Sequence, residues 1–318
     1  MRIIYMGTPD FAVEPLKRLV EANYDIVAVV TMPDKPIGRH HDTLQSSPVK
    51  QYAVSQGIPV LQPEKLKDED FLEQLRSYKA DLQVVVAFRM LPQVVWGMPP
   101  MGTFNLHAAL LPQYRGAAPI NWAVINGDKE TGVTTFFLDE QIDTGRIILQ
   151  ERCPIHDTDN VGDVHDRLML IGSDLVLRTV ELIEKGEAKS TPQEQFMTDE
   201  PLRPAPKIFK DTCRIDWTKS LDTIYNFVRG MAPYPASWTN LVTSDGKKQV
   251  MKVYAAHREI GTPDLPCGSI DTDGRNYLRV AVDGGWLHLD SIQLAGKKRM
   301  PAADFLRGAP WILGCMVE

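Results

Sequence analysis

The sequence predicts an α/β fold: a Rossmann-like, mostly parallel sheet followed by a small OB-like β-barrel domain. Three observations lead to this prediction. Through the first half, short and continuously apolar runs alternate with helical stretches, which is typical of strands buried on both faces of a parallel sheet. In the last third, short apolar runs are separated by Gly and Asp turns, as in small barrels. A length of 318 residues favours two domains.

The elements of the first half follow one another along the chain. The predicted buried strands are RIIYMG, DIVAVVT, LQVVVAF and GTFNLH, and the predicted helices between them are FAVEPLKRLVEA, PVKQYAVSQG and EDFLEQLRSYK. VTTFFLD and GRIILQE are expected to add a hairpin. A long amphipathic helix over about residues 161–185 then ends at Gly186, because glycine is the residue most common directly after helices.

The second half begins after a stretch without periodicity, STPQEQFMTDEPLRPAP, whose prolines and mixed charges indicate a linker. LDTIYNFVRGM predicts one helix, and the runs that follow it predict short strands joined by tight turns. We therefore expect a first domain over residues 1–189, a linker over residues 190–206 and a C-terminal domain over residues 207–318.

The composition is that of an ordinary globular protein, with 43% hydrophobic and 24% charged residues. No apolar run is long enough to span a bilayer, and the first residues lack the pattern of a signal peptide. The cysteines have no metal-ligand spacing and are expected to be reduced thiols: Cys153, Cys213, Cys267 and Cys315. We therefore expect a cytoplasmic protein with no bound metal and no membrane partner.

Charge is distributed unevenly along the chain. The formal net charge is −6, which argues mildly against a nucleic-acid partner. From Lys207 onward, however, there are 15 basic and 12 acidic residues, against 20 basic and 29 acidic residues before it. This difference suggests separate partners for the two halves, although ordinary surface variation accounts for it equally well.

Two segments of the first half are candidates for binding phosphate groups. The turn MGTPDF contains neither G-x-G-x-x-G nor G-x-x-x-x-G-K-[ST], which argues against a dinucleotide oxidoreductase, and a tight structural turn explains it equally well. The long polar segment MPDKPIGRHHDTLQSSPVK could contact phosphates, although its residues alone favour a solvated surface loop. Its candidate side chains are Lys35, Arg39, His40, His41 and Lys50, and no carboxylate or cysteine pattern supports a metal site at the two histidines.

The most specific candidates are Asn105 and His107 in FNLHAALLPQYRGAAP. Residues two apart on a strand point to the same side, so both side chains project together at the carboxyl end of a predicted central strand. Asp143, in LDEQIDTG, supplies an acid after another predicted strand. An aspartic protease needs two Asp-Thr-Gly motifs and is excluded because there is one, although a simple turn with a capping aspartate is also compatible with the residues.

These three residue types point to group transfer without a covalent enzyme intermediate. Neither G-x-S-x-G nor a cysteine occurs near His107, so the attacking nucleophile is expected to come from the substrate. A histidine can manage the proton, an asparagine amide can donate to a developing oxyanion, and an aspartate can hold the imidazole or a water. The sequence therefore predicts acyl-type transfer to an external amine or hydroxyl.

The motif FNLHAALLPQYRGAAPINWAVINGDKETGV followed by DEQIDTG resembles the signature of the folate-dependent formyltransferases. RIIYMGTPDFAVEPL, PDKPIGR and SSPVK narrow the resemblance to the members that formylate methionyl-tRNA, and APKIFKDTCRIDWTKSLDTIYNFVRGMAPYPASWT resembles the start of their C-terminal domain. The resemblance implies an enzyme with 10-formyltetrahydrofolate as formyl donor and the α-amino group of methionine on initiator Met-tRNA as acceptor. It also implies a catalytic first domain, a tRNA-binding C-terminal domain, and Asn105, His107 and Asp143 as catalytic residues.

The resemblance further implies binding residues. Folate contacts are expected at Phe88, Arg89, Met90, Leu91, Pro92, Leu110, Leu111, Pro112, Asp139, Glu140, Gln141 and Ile142. Contacts with tRNA are expected at Lys35, Arg39, His40, His41, Lys207, Lys210, Lys247, Lys248, Lys297, Lys298 and Arg299. The chain departs from the family pattern at two places: His40 and His41 replace a Gly-Lys-Lys type stretch, and Ala109 replaces a serine. We expect the loss of that serine to affect loop support more than chemistry.

Three other functions remain open from the residues alone. A formyltransferase acting on a small amine, such as a glycinamide nucleotide or an amino sugar, would share the three catalytic residues but lack the tRNA loop and the barrel. A related hydrolase would use water as the acceptor. A non-catalytic RNA-binding protein on the same scaffold would not need the three residues intact.

We expect the protein to be a monomer.

Overall fold

The computed structural model of the protein describes residues 1–37 and 43–318. By their internal contacts these residues form two compact units. The first consists of Met1–Gly116, Thr131–Pro154 and His165–Pro204, and the second of Ala117–Glu130, Ile155–Val164 and Ala205–Glu318. Two segments of the predicted first domain thus belong to the second unit, and the linear division into residues 1–189, 190–206 and 207–318 stays a prediction.

The helices are, in chain order, α1 Val13–Glu21, α2 Pro48–Ser55, α3 Glu69–Ser77, α4 Gln93–Trp96, α5 Pro119–Ile125, α6 Val161–Glu184, α7 Leu221–Met231 and α8 Ala302–Arg307. Short 3-10 turns lie at Asp10–Ala12, Gln193–Phe196, Asp211–Cys213 and Pro310–Ile312. All the helices expected from the sequence are present. Among the described helices, none has both the length and the apolar character required to cross a bilayer.

The strands of the first half are β1 Arg2–Gly7, β2 Asp25–Val30, β3 Lys35–Ile37, β4 Thr43–Gln45, β5 Val60–Leu61, β6 Leu82–Val86, β7 Thr103–His107, β8 Glu130–Phe137 and β9 Ile147–Pro154. The strands of the second half are β10 Ser237–Val242, β11 Lys248–Ile260, β12 Ile270–Thr272, β13 Leu278–Val282, β14 Gly285–Leu294, β15 Met300–Pro301 and β16 Met316–Val317. Every apolar run predicted to be a strand forms one.

The first unit is built on a sheet with the strand order β5-β2-β1-β6-β7-β8-β9. Strands β5, β2, β1, β6 and β7 pair in parallel, whereas β8 runs antiparallel to β7. The predicted mostly parallel sheet is therefore confirmed. The chain passes outward from β1 through β2 to β5 and returns to β6 on the other side of β1, so the strand order reverses between β1 and β6. Ligands of open α/β sheets bind at the carboxyl ends of the strands beside such a reversal.

The face of this sheet that α3 covers shows why these sequences form these elements. The helix begins after Asp68, whose carboxylate accepts hydrogen bonds from the main-chain N–H groups of Asp70 and Phe71. Its apolar stripe, including Leu75, packs in one cluster with Ile4 of β1. The apolar periodicity of the helix and the continuous apolar runs of the strands thus bury each other.

The second unit is an antiparallel barrel that is nearly closed. Its strands lie in the order β12-β13-β14-β11-β10-β16, and a bridge between Ser269 and Met316 brings the two ends together. Alternate residues of the strands, such as Leu287 on β14, point into the core, where Ile224 and Val228 of α7 pack against them. These observations confirm the predicted small barrel.

Candidate functional site

The candidate site lies at the carboxyl end of β7, of which His107 is the last residue. Asn105 and His107 lie on the same side of this strand, as the sequence predicts, with Asn105 paired to Phe136 of β8. Asn105 is half-buried, and within the described part of the chain its side chain has no hydrogen-bond partner. Its amide N–H groups are therefore available to a substrate.

His107 is buried between a carbonyl and a carboxylate. Its Nε2 atom lies 2.8 Å from the main-chain oxygen of Tyr114, and its Nδ1 atom lies 3.8 Å from Oδ2 of Asp143. Because a carbonyl oxygen can only accept, Nε2 carries the hydrogen in the first contact. The Nδ1 atom is therefore the nitrogen that faces the carboxylate.

Asp143 is held through both its side chain and its main chain. Its Oδ2 atom accepts a hydrogen bond of 2.9 Å from the main-chain N–H of Gly116, and its main-chain oxygen accepts one of 2.8 Å from Nε2 of Gln193. Its φ of +56° lies in the left-handed region, which aspartate tolerates better than most residues. The direction of the carboxylate is thus set by contacts from distant parts of the chain.

Gly145 brings the Asp-Thr-Gly turn close to the end of β8. A Cβ atom at this position would lie 1.6 Å from the main-chain oxygen of Phe137. No side chain can be accommodated at that distance, so the turn can take this position only with glycine.

The segment that follows His107 is anchored to β8 by Thr134. The Thr134 hydroxyl donates a hydrogen bond of 2.7 Å to the main-chain oxygen of Ala109 and accepts one of 3.1 Å from the main-chain N–H of Leu111. Gln150 donates a further bond of 2.8 Å to the Leu111 oxygen. Since these bonds reach main-chain atoms, the alanine that stands at position 109 leaves them intact.

Each of the three segments expected to bind folate contributes to, or adjoins, a hydrophobic cluster against which Leu138 packs. Leu138 packs against the core cluster that includes Leu91, with Phe88 beside it, and also against the cluster that contains Leu111. Leu138, which directly precedes residues 139–142, thus packs against clusters to which Leu91 and Leu111 belong.

The exposed part of these segments is partly apolar. Met90 is 73% exposed and Ile142 is 60% exposed, whereas the polar residues Asp139, Glu140 and Gln141 face solvent beside them. Arg89 turns away, because its guanidinium donates hydrogen bonds to the main-chain oxygens of Pro63 and Glu64. Burial lowers the pKa of this guanidinium. Arg89 thus supports the loop through main-chain contacts.

Of the predicted tRNA contacts in the long loop, Arg39, His40 and His41 lie outside the described residues. Lys35 is exposed on β3, whereas Lys50 forms an ion pair of 2.6 Å with Asp34 and lowers the pKa of that carboxyl. Within residues 1–37 and 43–318, no group of three or more His, Cys, Asp or Glu side chains is arranged to hold a metal ion. The expected absence of a metal stays a prediction.

Two groups of predicted tRNA contacts meet at one end of the barrel. Lys247 and Lys248 stand at the start of β11, and residues 297–299 follow the end of β14. These strand ends are neighbours, since the main-chain N–H of Ala295 donates a hydrogen bond of 2.9 Å to the oxygen of Val250. The sequence places these cations about 50 residues apart, and antiparallel pairing of β11 with β14 brings the segments that carry them to the same end of the barrel.

Carboxylates pair with the two lysines at the start of β11. Lys247 forms an ion pair of 2.8 Å with Asp245, and Lys248 forms one of 2.5 Å with Glu318. The hydrogen bond from Lys247 lowers the pKa of Asp245 to about 2. Both lysines are therefore less available to phosphate groups than the sequence suggests.

The remaining predicted contacts of the barrel lie beside aromatic rings or in solvent. The Lys207 ammonium lies 5.5 Å from the ring centre of Phe209, and the Arg299 guanidinium lies 4.5 Å from that of Tyr254. Lys210 is exposed, as are Lys297 and Lys298.

Four groups around His107 and Asp143 are not among the residues predicted from the sequence: the Tyr114 carbonyl, the Gly116 N–H, and the side chains of Arg115 and Gln193. Arg115 donates from Nε and Nη2 to Oε1 of Gln193, at 3.1 and 2.7 Å. Tyr114 and Gly116 act through main-chain groups, which no residue type reveals, and only the Arg115 side chain, eight residues after His107, offers a signal in the sequence. A single glutamine in a stretch without periodicity offers no such signal.

Comparison with known proteins finds relatives over almost the whole chain. The family model of formyl transferases matches residues 1–180, and that of the formyl transferase C-terminal domain matches residues 207–310. A methionyl-tRNA formyltransferase of Parabacteroides distasonis is 64% identical over 309 residues, which cover 97% of this chain and 95% of the relative. One of Bacteroides fragilis is 60% identical over 308 residues, with the same coverage of 97% and 95%.

Solved structures share the fold at low sequence identity. HypX from Aquifex aeolicus in complex with tetrahydrofolic acid aligns with a TM-score of 0.63 at 19% identity, over 96% of this chain and 47% of HypX, so the chain spans about half of that protein. WlaRD, a sugar 3N-formyl transferase, aligns with a TM-score of 0.65 at 19% identity, over 94% of this chain and 99% of WlaRD. At this identity the similarity establishes the architecture and leaves the substrate undetermined.

Proposed function

This chain belongs to the formyl transferase family, and on that premise we propose that it transfers a formyl group from 10-formyltetrahydrofolate to the α-amino group of methionine on initiator Met-tRNA. The reaction prepares the charged tRNA for translation initiation. The observation that carries the proposal is the convergence of Asn105, His107 and Asp143 at the carboxyl end of the sheet. Relatives that bear this activity in their names align with nearly the full length of the chain.

The three side chains have complementary roles in the proposed mechanism. 10-Formyltetrahydrofolate supplies an activated formyl group: the neutral amine of the methionine forms the new bond to the formyl carbon, and the bond from that carbon to the folate nitrogen breaks. The proton lost by the amine passes to that nitrogen, and tetrahydrofolate leaves. Asn105, whose amide is unoccupied in the described chain, donates a hydrogen bond to the formyl oxygen as negative charge develops on it. Protonated His107 stabilises the same charge, and Asp143 orients the imidazole and stabilises its positive charge from 3.8 Å.

The folate is proposed to bind where residues 88–92, 110–112 and 139–142 meet. The exposed Met90 and Ile142 offer apolar contacts to a pterin ring, and the main-chain groups of these loops offer hydrogen bonds. The buried Thr134 keeps the segment after His107 in place and so maintains one wall of this site.

The tRNA is proposed to bind through the loop that contains Arg39 and through the basic end of the barrel. Because exposed cations act on phosphates by a salt-dependent attraction, the barrel is expected to contribute affinity and not acceptor chemistry. The proposal includes a monomer that acts in the cytoplasm, as the sequence predicts.

The proposal is tested by measuring formyl transfer from 10-formyltetrahydrofolate to initiator Met-tRNA, with elongator Met-tRNA and a small amine as parallel acceptors. Selective transfer to the initiator tRNA is the expected result. Transfer to the small amine alone, or release of tetrahydrofolate with water as acceptor, would overturn the tRNA assignment while retaining the three catalytic residues. Loss of transfer in His107→Ala with retained tRNA binding separates an enzyme from an RNA-binding protein.

A further inference from the structure

Gln193 is buried in a segment whose following residues are exposed. Its side chain is 1% exposed, whereas Glu194 and Gln195 in the same 3-10 turn face solvent. The segment is held on the first unit by two main-chain hydrogen bonds of 2.8 and 2.9 Å between Thr191 and Ile147. A polar side chain is buried in this way only when its hydrogen-bonding groups find partners.

All the hydrogen-bonding capacity of the Gln193 amide is used. Its Nε2 atom donates to the main-chain oxygens of Asp143 and Gly145, at 2.8 and 2.9 Å. Its Oε1 atom accepts from Nε and Nη2 of Arg115, at 3.1 and 2.7 Å. A side-chain amide has two donor hydrogens and two acceptor lone pairs, so this set of partners matches glutamine and does not match glutamate, which can only accept when ionised.

These bonds close a ring around Asp143. Gln193 holds the main chain of Asp143 directly, and through Arg115 it holds the residue next to Gly116. The N–H of Gly116 in turn donates to the Asp143 carboxylate at 2.9 Å. The main chain and the carboxylate of Asp143, which has a left-handed φ of +56°, are therefore both held by hydrogen bonds that lead back to the buried Gln193 amide.

We propose that Gln193 is a positioning residue that holds the Asp143 carboxylate at its distance from His107 during formyl transfer. This inference rests on the proposed catalytic role of Asp143. An aspartate in a turn, with a left-handed φ, has no strand or helix to fix it, so its direction depends on the ring of hydrogen bonds. Misplacement of a catalytic group by about 1 Å lowers rates by about 100-fold.

The test compares Gln193→Met with Gln195→Met, which makes the same change in the same turn at an exposed position. We expect Gln193→Met to lower kcat by about 10- to 100-fold while KM for each substrate changes by less than about 3-fold. Gln195→Met should match the wild type. Equal kcat values for Gln193→Met and the wild type would overturn the inference.

A double-mutant cycle separates positioning from general structural support. If Gln193 acts through Asp143, Gln193→Met should cause no further loss of kcat in an Asp143→Ala background. A further loss as large as that in the wild-type background would contradict the inference. Full activity of Asp143→Ala by itself would instead contradict the proposed catalytic role of Asp143. If Gln193→Met has the kcat of the wild type while Asp143→Ala is inactive, the positioning role of Gln193 is contradicted and the catalytic role of Asp143 is retained.

A second variant covers the case in which Gln193→Met does not fold. Arg115→Met opens the same ring at a partly exposed side chain, and it should lower kcat with little change in Tm. The imidazole ¹⁵N resonances of His107 should shift in Arg115→Met and stay in place in Gln195→Met. Unchanged His107 resonances together with an unchanged kcat in Arg115→Met would contradict the inference.

Discussion

The Nδ1 atom of His107 lies 3.8 Å from Oδ2 of Asp143, while Nε2 of the same ring is bonded to the Tyr114 carbonyl at 2.8 Å. The longer distance exceeds that of a normal hydrogen bond, so no direct hydrogen bond joins the two groups. The Gly116 N–H, at 2.9 Å from Oδ2, holds the carboxylate in this position. The site thus combines a fixed imidazole with a fixed negative charge.

The first prediction concerns that charge. Asp143→Asn keeps the shape of the side chain and leaves an oxygen to accept from Gly116, but it removes the negative charge beside His107. We expect kcat to fall by about 100-fold or more, with a small change in KM. Asp199→Asn, at an exposed residue, should behave as the wild type. Steady-state kinetics with initiator Met-tRNA measure both, and comparable kcat values in the two variants would contradict the role of the charge.

The second prediction concerns Asn105. Because its amide is the donor proposed for the developing oxyanion, Asn105→Ala should lower kcat by about 100- to 1,000-fold. KM for the folate should change little, since the donor acts mainly in the transition state. Single-turnover measurements with saturating substrates report the chemical step directly. A raised KM with an unchanged kcat would assign Asn105 to binding and not to catalysis.

The third prediction concerns the glycine of the Asp-Thr-Gly turn. Gly145→Ala places a Cβ atom 1.6 Å from the Phe137 oxygen, so the turn that carries Asp143 must move. We expect a loss of about 1–3 kcal/mol in the free energy of unfolding and about a 100-fold loss in kcat.

The matched control for this change is Gly261→Ala. No heavy atom lies within 4 Å of a Cβ atom built at Gly261. We expect its free energy of unfolding to stay within about 1 kcal/mol of the wild type, with unchanged kcat. Chemical denaturation and steady-state rates test the pair. A Gly145→Ala variant as active as Gly261→Ala would show that the turn adapts.

The fourth prediction concerns the basic end of the barrel. Asp245→Asn frees Lys247 from its ion pair and should strengthen tRNA binding by about twofold to fivefold, with a steeper dependence on salt. Asp264→Asn removes the same charge from an exposed residue beyond the other end of β11 and should have a smaller effect. Binding isotherms at several salt concentrations distinguish them. Equal effects of the two variants would exclude a local role for Lys247.

The same pair has a defined pH dependence. Because the pKa of Asp245 is lowered from 3.8 to about 2, the ion pair is intact at neutral pH. A lowered carboxyl pKa contributes stability above the unfolded value, so this contribution is lost only as the pH falls from 3.8 toward 2. In the Lys247→Met variant, the pKa of Asp245 should rise toward its ordinary value of 3.8, and NMR titration of the carboxyl group measures this change.

The fifth prediction concerns Ala109. Thr134 supports this segment through main-chain atoms, and the alanine side chain is fully buried. Ala109→Ser should therefore leave kcat within about threefold of the wild type, since it removes none of the supporting bonds. A much larger change in kcat, in either direction, would show that the residue at this position takes part in the chemistry.

The elements of the fold could be predicted because their signals are local. The apolar runs of β1, β2, β6 and β7 and the helical spacing of α1, α3 and α7 lie within short stretches of chain, and all of them form as expected. The location of Asn105 and His107 on the same side of one strand follows from local geometry, because residues two apart on a strand point to the same side. Asp143 could also be predicted from a local signal, because it is the acidic residue of the Asp-Thr-Gly turn.

Other parts of the candidate site could not be predicted from the sequence. The contacts of Tyr114 and Gly116 come from peptide groups, which every residue carries, so side-chain identity does not reveal them. Gln193 lies in a segment whose prolines indicate a linker, and only its burial distinguishes it from Gln195. The ion pair of Lys247 with Asp245 could not be predicted, because a count of basic residues does not show which acidic residues lie beside them.

The sequence by itself determined the order and type of the elements, the family, and the residues expected to perform the chemistry. These depend on apolar spacing and on short motifs, which are read within a few residues. Only the tertiary structure decided what surrounds His107 and what holds Asp143 in a left-handed turn. Those contacts join residues far apart in the chain, and their geometry depends on how every element between them packs.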